Sequence, residues 1–257
     1  MSDVGTAAIS SAGPEFRVGR VLGEAFNVLF KDLWKFLLLA LVALLPSAIL
    51  MFAVGGEASG LGASPNYENA SVGIILIDVP LGILCYALSQ AGTLYGAFQD
   101  MRGRPFDLGA AFGVAFSRFF PVLGVTICFG FAIVLGSILL LVPCMMVLAA
   151  CYVALPACVM ERLGPFESLS RSSALTKGHR WKVFGIFLVI IVVSMIIGSV
   201  LEVMAVAIGG AVAGIVVNFV WNALYAAYNS VAIAVMYHDL RVLKEGIDID
   251  RIAAVFD

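Results

Sequence analysis

Charge is scarce in this 257-residue chain: Asp, Glu, Lys and Arg make up 12% of it, where a soluble domain carries roughly a quarter. With 62% of the residues hydrophobic, too little polar surface remains to face water on all sides. An ordinary soluble fold is excluded, and lipid is the expected surrounding. Histidine is rarer still, with His179 and His238 as the two copies. Metal-ligand spacings, phosphate-binding glycine loops and nucleophile motifs are missing from the sequence, so no cofactor, no metal and no enzymatic activity are expected. A net charge of −2 gives no support to nucleic-acid binding. The five cysteines, Cys85, Cys128, Cys144, Cys151 and Cys158, lie inside apolar runs. The last three follow a heptad, which spaces neighbours by roughly 10.5 Å along a helix, too far for one metal ion or a disulfide. They are expected to be small packing residues.

What the sequence does contain is long apolar runs, each close to the ~20 residues a helix needs to cross a hydrocarbon core. They cover Phe36 to Val54, Val79 to Phe98, Phe120 to Leu140, Val142 to Met160, Val183 to Val200 and Ala211 to Met236. The expected fold is therefore all-α, a polytopic membrane protein with six transmembrane helices. Pro143 is expected to break the third run from the fourth, and Gly209 with Gly210 the fifth from the sixth, each making a tight hairpin. Basic residues are missing from every second loop. All 15 fall in the N-terminal segment, in the loops around Arg102 to Arg118 and 161–182, or in the tail 237–257. By the positive-inside rule these four segments, and so both termini, are expected in the cytoplasm. Residues 1–15 read as a disordered leader without a cleavable signal, and 16–257 as a single membrane domain. Asn69-Ala70-Ser71 has the form of a glycosylation triplet, but it abuts the membrane and chance explains it.

Three segments carry apolar residues at helical spacing ahead of spans one, three and five: Phe16 to Leu33, Leu108 to Phe120, and Pro165 to Lys177. They are expected to be amphipathic interfacial helices. Aligning Glu24-Ala25-Phe26 ahead of Trp34, Ala110-Ala111-Phe112 ahead of Phe120, and Glu167-Ser168-Leu169 ahead of Trp181 suggests a threefold repeat of lead-in helix plus hairpin.

Within the spans, Asp78 before Pro80 and Glu202 at the end of span five are ionisable groups in apolar runs, a functional signal by default. Both also suit an interfacial position, and Asp78 the start of a helix. Asn218, Asn222, Tyr225 and Asn229 form a polar stripe on span six, and Tyr86, Ser89, Gln90 and Thr93 one on span two. Interhelical hydrogen bonding accounts for such faces, as would a polar pathway. Gly124, Cys128, Ala132 and Gly136 form a small-residue stripe that suits close packing. In the fourth loop, Arg162, Arg171, Lys177, Arg180 and Lys182 surround Trp181, a set that attracts anionic headgroups or simply fixes topology. Glu161 or Glu167 is expected to pair with Arg171 or with Arg241, clamping loop to tail.

The stretch Pro156 to Trp181, PACVMERLGPFESLSRSSALTKGHRW, resembles the signature loop of the membrane domain found in glycerophosphodiester phosphodiesterases and in stand-alone bacterial relatives. The tail YHDLRVLKEGIDIDRI and the Val142-Pro143 turn are similar too. The resemblance implies a bacterial inner-membrane protein. It implies no hydrolase activity, because the separate catalytic barrel of that family is not in this chain. Two functions follow as expectations. One is a noncatalytic lipid-interacting scaffold whose partners are membrane lipids and other membrane proteins. The other is a transporter or channel for a small amphiphile along the polar faces of spans two and six.

Overall fold

The computed structural model describes residue 16 and residues 18–58, 72–139 and 141–246. The expected leader, the glycosylation triplet and the tail beyond 246 lie outside these residues, as do the side chains of Asp78 and Cys144 and the surroundings of Gly136. The described chain is all-α. Helices α1 (Val18–Lys31), α2 (Leu33–Ala58), α3 (Val72–Met101), α4 (Leu108–Ser117), α5 (Phe119–Leu139), α6 (Leu141–Cys151), α7 (Ala154–Met160) and α8 (Pro165–Thr176) follow in order. Two long helices close the chain, α9 (Arg180–Gly210) and α10 (Val212–Glu245). Among the described residues three helices are long and apolar enough to cross a membrane, α9, α10 and α3 from Pro80; α4 with α5, bent by 65°, makes a fourth if counted as one span.

Each expected lead-in segment is a helix, and local chemistry explains where each begins. Asp107 accepts from the Gly109 amide at 2.9 Å and starts α4. Pro165 opens α8, where its missing N–H costs nothing, and Glu167 reaches back to the Gly164 amide at 3.2 Å. Helix α1 has two apolar faces rather than the single one expected. Val21, Ala25, Val28 and Leu29 are buried, whereas Phe26 and Phe30 point outward and stack on each other at 4.1 Å.

The chain leaves helical geometry at Gly210 (φ 71°, ψ −168°), a left-handed backbone that favours glycine. Beyond it α10 folds back along α9. Trp221 donates to the Ser194 carbonyl at 3.3 Å, and its indole lies where a Cβ on Gly198 would sit. Val206 stands likewise over Gly214. At the other expected break the helix ends at Leu139, ahead of Pro143, which falls in the first turn of α6. Proline suits a first turn, so it sits just inside the new helix rather than at the break itself.

The core gathers around the second half of α10, where Ala223, Ala227 and the run Val231 to Tyr237 are buried. Helices α1, α2, α3, α6, α7 and α8 pack on the α9 and α10 pair. By contrast, only 17% of the most apolar stretch of α9 is buried.

Candidate functional site

The ionic side chains meet where α1, α7, α8 and the close of α10 converge. Tyr237, Arg241 and Glu245 recur every fourth residue on α10 and so share one face. Opposite them stands Glu161, which ends α7, just before Arg162 turns the chain with a left-handed φ of 57°. Glu161 accepts from Arg171 Nε at 2.9 and 3.0 Å and from the Tyr237 hydroxyl at 2.5 Å, with Arg241 Nη1 at 3.7 Å. Glu245 completes the ring, 2.5 Å from Arg171 Nη2 and 3.0 Å from Arg241 Nε. Burial works against the Arg171 charge, but its bonds to Glu161 and Glu245 outweigh that and hold its pKa above the ordinary value. The four charged side chains are between 17% and 27% exposed, so these pairs lie in a poorly screened environment.

Glu167 stands outside this ring. Its carboxylate is used at the start of α8, three residues from Gly164, and the helix faces Arg171 rather than Glu167 towards α10. Tyr237 and Glu245 were not among the residues singled out from the sequence. Their signal was the four-residue spacing through Arg241, which marks one helical face.

Two further ion pairs fix α1. Arg20 reaches the buried Asp239 at 2.6 Å, and Lys31 pairs with the buried Asp100. Tyr228 also donates to the Leu22 carbonyl at 3.2 Å. Phe16 lies edge-on to His179, and its carbonyl accepts from Lys182 at 3.2 Å. His179 is held below its ordinary pKa, first by burial and then by Lys182 and Lys244. Positive charge is thus in excess here. Among the described residues Arg162, Lys177, Arg180 and Lys182 have no carboxylate partner, and Arg180 donates to Ser173 Oγ at 3.0 Å while its Nε is buried and unpartnered.

Large aromatic side chains are exposed on the lead-in helices and in the first turn of the helix that follows each. Phe26 and Phe30 on α1, Trp34 at the start of α2, Phe116 and Phe120 at the α4–α5 bend, Phe166 at the start of α8 and Trp181 at the start of α9 are all more than half exposed.

The expected polar stripe of span six divides. Asn229 is buried and accepts from Tyr152 at 2.7 Å, whereas Asn218 and Asn222 are exposed on the α9–α10 hairpin. The reason is a change of surroundings midway along α10, which enters the bundle only from about Ala223 onward. Near Asn229, Ser230 donates to Gln90 Oε1 at 2.6 Å, and Gln90 donates to the Tyr86 hydroxyl at 2.6 Å. Tyr225 is half-buried beside this group. Polar side chains of α3, the α6–α7 junction and α10 therefore join in one buried network. The Ser89 and Thr93 hydroxyls are buried in α3 with no partner among the described residues.

No His, Cys, Asp and Glu cluster among the described residues has the makings of a metal site. Compared with family models, with curated proteins and with solved structures, the chain finds no match in any of the three.

Proposed function

We propose that this protein is a noncatalytic, lipid-interacting scaffold of the bacterial inner membrane, seated through α1, α4 and α8 at the cytoplasmic interface. The observation that carries this reading is the set of exposed aromatics on and just after the three lead-in helices, together with Arg162, Lys177, Arg180 and Lys182 around the third, which have no carboxylate partner among the described residues. Exposed Trp and Phe side chains favour the headgroup region, and each Lys or Arg there adds roughly 1 kcal/mol of attraction to anionic lipid. Six spans fit this arrangement: α2, α3, α5, α6 with α7, α9 and α10, with both termini cytoplasmic. The threefold repeat gains support from matched exposures. Trp34, Phe120 and Trp181 are exposed, and Ala25, Ala111 and Ser168 in the aligned lead-ins are fully buried. The likeness of the Pro156 to Trp181 loop to the phosphodiesterase-linked membrane domain is consistent with such a role and lends it no activity.

The protein purified with its native lipids is expected to be enriched in anionic phospholipid relative to the bulk membrane. Replacing Arg162, Lys177, Arg180 and Lys182 together by glutamine is expected to cut that enrichment at least twofold, read by lipid mass spectrometry; equal lipid profiles would overturn the proposal. The unpartnered Ser89 and Thr93 hydroxyls favour a second reading, a carrier for a small amphiphile along α3 and α10. Flux into proteoliposomes that is lost in Ser89→Ala/Thr93→Ala, with lipid enrichment unchanged, would select it.

A further inference from the structure

The α9–α10 hairpin carries a polar ladder on its exposed surface. Asn222 donates through Nδ2 to the Asn218 carbonyl at 2.9 Å and to Asn218 Oδ1 at 2.7 Å, and Asn218 donates to Glu202 Oε2 at 3.2 Å. These three side chains are polar positions on a hairpin whose exposed residues are otherwise largely apolar around both helices, Val200, Val203, Met204, Val216 and Val220 among them. Arg180 and Glu202 are 22 residues apart along α9, about 33 Å at helical rise, so Glu202 lies near the far boundary of a ~30 Å hydrocarbon layer. Asn222 stands roughly one turn deeper than Asn218. The ladder therefore runs from the far boundary into the apolar layer, on the side turned away from the bundle.

We propose that this ladder is the contact surface between two copies of the chain. Within one copy the bonds all run one way, towards Glu202. This leaves a second hydrogen on Asn218 Nδ2, while Asn222 Oδ1 and Glu202 Oε1 accept from nothing among the described residues. Donor and acceptor are thus both open on the same face, within one turn of each other. A two-fold axis along the membrane normal brings residues of equal depth together. The Asn218 amide of each copy then meets the open Glu202 Oε1 of the other, which lies at its own depth, so donor and acceptor are satisfied by the same surface. Lipid offers no donors at the depth of Asn222, so hydrogen bonds between helices are favoured there by about 1 kcal/mol each. Two glycines of the hairpin already serve its own packing: Gly198 lies beneath Trp221 and Gly214 beneath Val206. The arm is accordingly a preformed two-helix unit that presents its polar edge outward. This pairing is independent of headgroup binding at the opposite end, and loss of lipid enrichment would leave it intact.

The test is oxidative cross-linking in native membranes, with the unaltered chain run alongside as background. Asn222→Cys is expected to form a disulfide-linked dimer at least tenfold faster than Val220→Cys, whose position is also exposed but lies about 200° around the helix. Asn218→Leu/Asn222→Leu is expected to shift the purified protein from dimer to monomer in light scattering. Equal cross-linking at 222 and 220, or a monomeric unaltered chain, would overturn the proposal, as would a dimer that survives the double substitution.

Discussion

Replacing Glu161 by alanine is expected to destabilise the protein more than any other single change at the charged end. The carboxylate accepts from Arg171 and Tyr237 and faces Arg241, so its removal leaves two guanidinium groups to share Glu245. Breaking a poorly solvated pair from one side leaves an uncompensated charge, and the expected loss is about 2–4 kcal/mol. Glu161→Gln keeps a hydrogen-bond acceptor and is expected to lose about half as much. Glu167→Gln, which touches only the start of α8, is expected to cost less than about 1 kcal/mol. Unfolding in mixed detergent, followed by the intrinsic tryptophan signal, gives all three values. An alanine variant as stable as the unaltered chain would show that loop and tail are held together by something other than this ring.

Gly96→Ala is expected to have the next largest effect. A Cβ at Gly96 would stand 2.5 Å from Phe106 Cε2 and 2.7 Å from its Cζ, and that ring is itself stacked on Phe36 at 4.8 Å. Phe36 and Phe106 are both buried, so the ring has no free side towards which to move. Forcing a methyl into such a contact costs about 1–3 kcal/mol. Gly113→Ala on α4 is the matched comparison, because a Cβ there meets nothing within 4 Å. It is expected to be neutral or to stabilise the helix by up to ~1 kcal/mol. The same unfolding assay separates the two, and a Gly96→Ala variant that behaves like Gly113→Ala would show that Phe106 is not locked in place.

Much of this arrangement is legible in the sequence, and its limits have physical causes. The lead-in helices can be placed because periodicity and Pro165 mark them locally, whereas the Asp107 cap of α4 is seen only in the fold. Trp34, Phe120 and Trp181 stand out because an aromatic at the start of an apolar run has few other uses. Periodicity shows that Asn218, Asn222 and Asn229 share a face, but it cannot say where along α10 the rest of the chain begins to cover that face. For the same reason Phe26 and Phe30 look like part of the stripe that buries Val21 and Ala25. The choice of Glu161 over Glu167 as the partner of Arg171 depends on the turn at Arg162 and on how α8 lies against α10, which are tertiary facts. Asp100 and Asp239 could not be matched to Lys31 and Arg20 either, since those pairs join residues far apart in the chain.

Seating of the three lead-in helices in the headgroup region is tested most directly by tryptophan quenching with brominated lipids. In a Trp221→Phe background, Trp34 and Trp181 are the remaining fluorophores. Lipids brominated near the headgroup are expected to quench them strongly, and lipids brominated near the chain ends only weakly. Stronger quenching from the chain ends, or none from either position, would contradict a belt at the membrane surface and with it the lipid-interacting role.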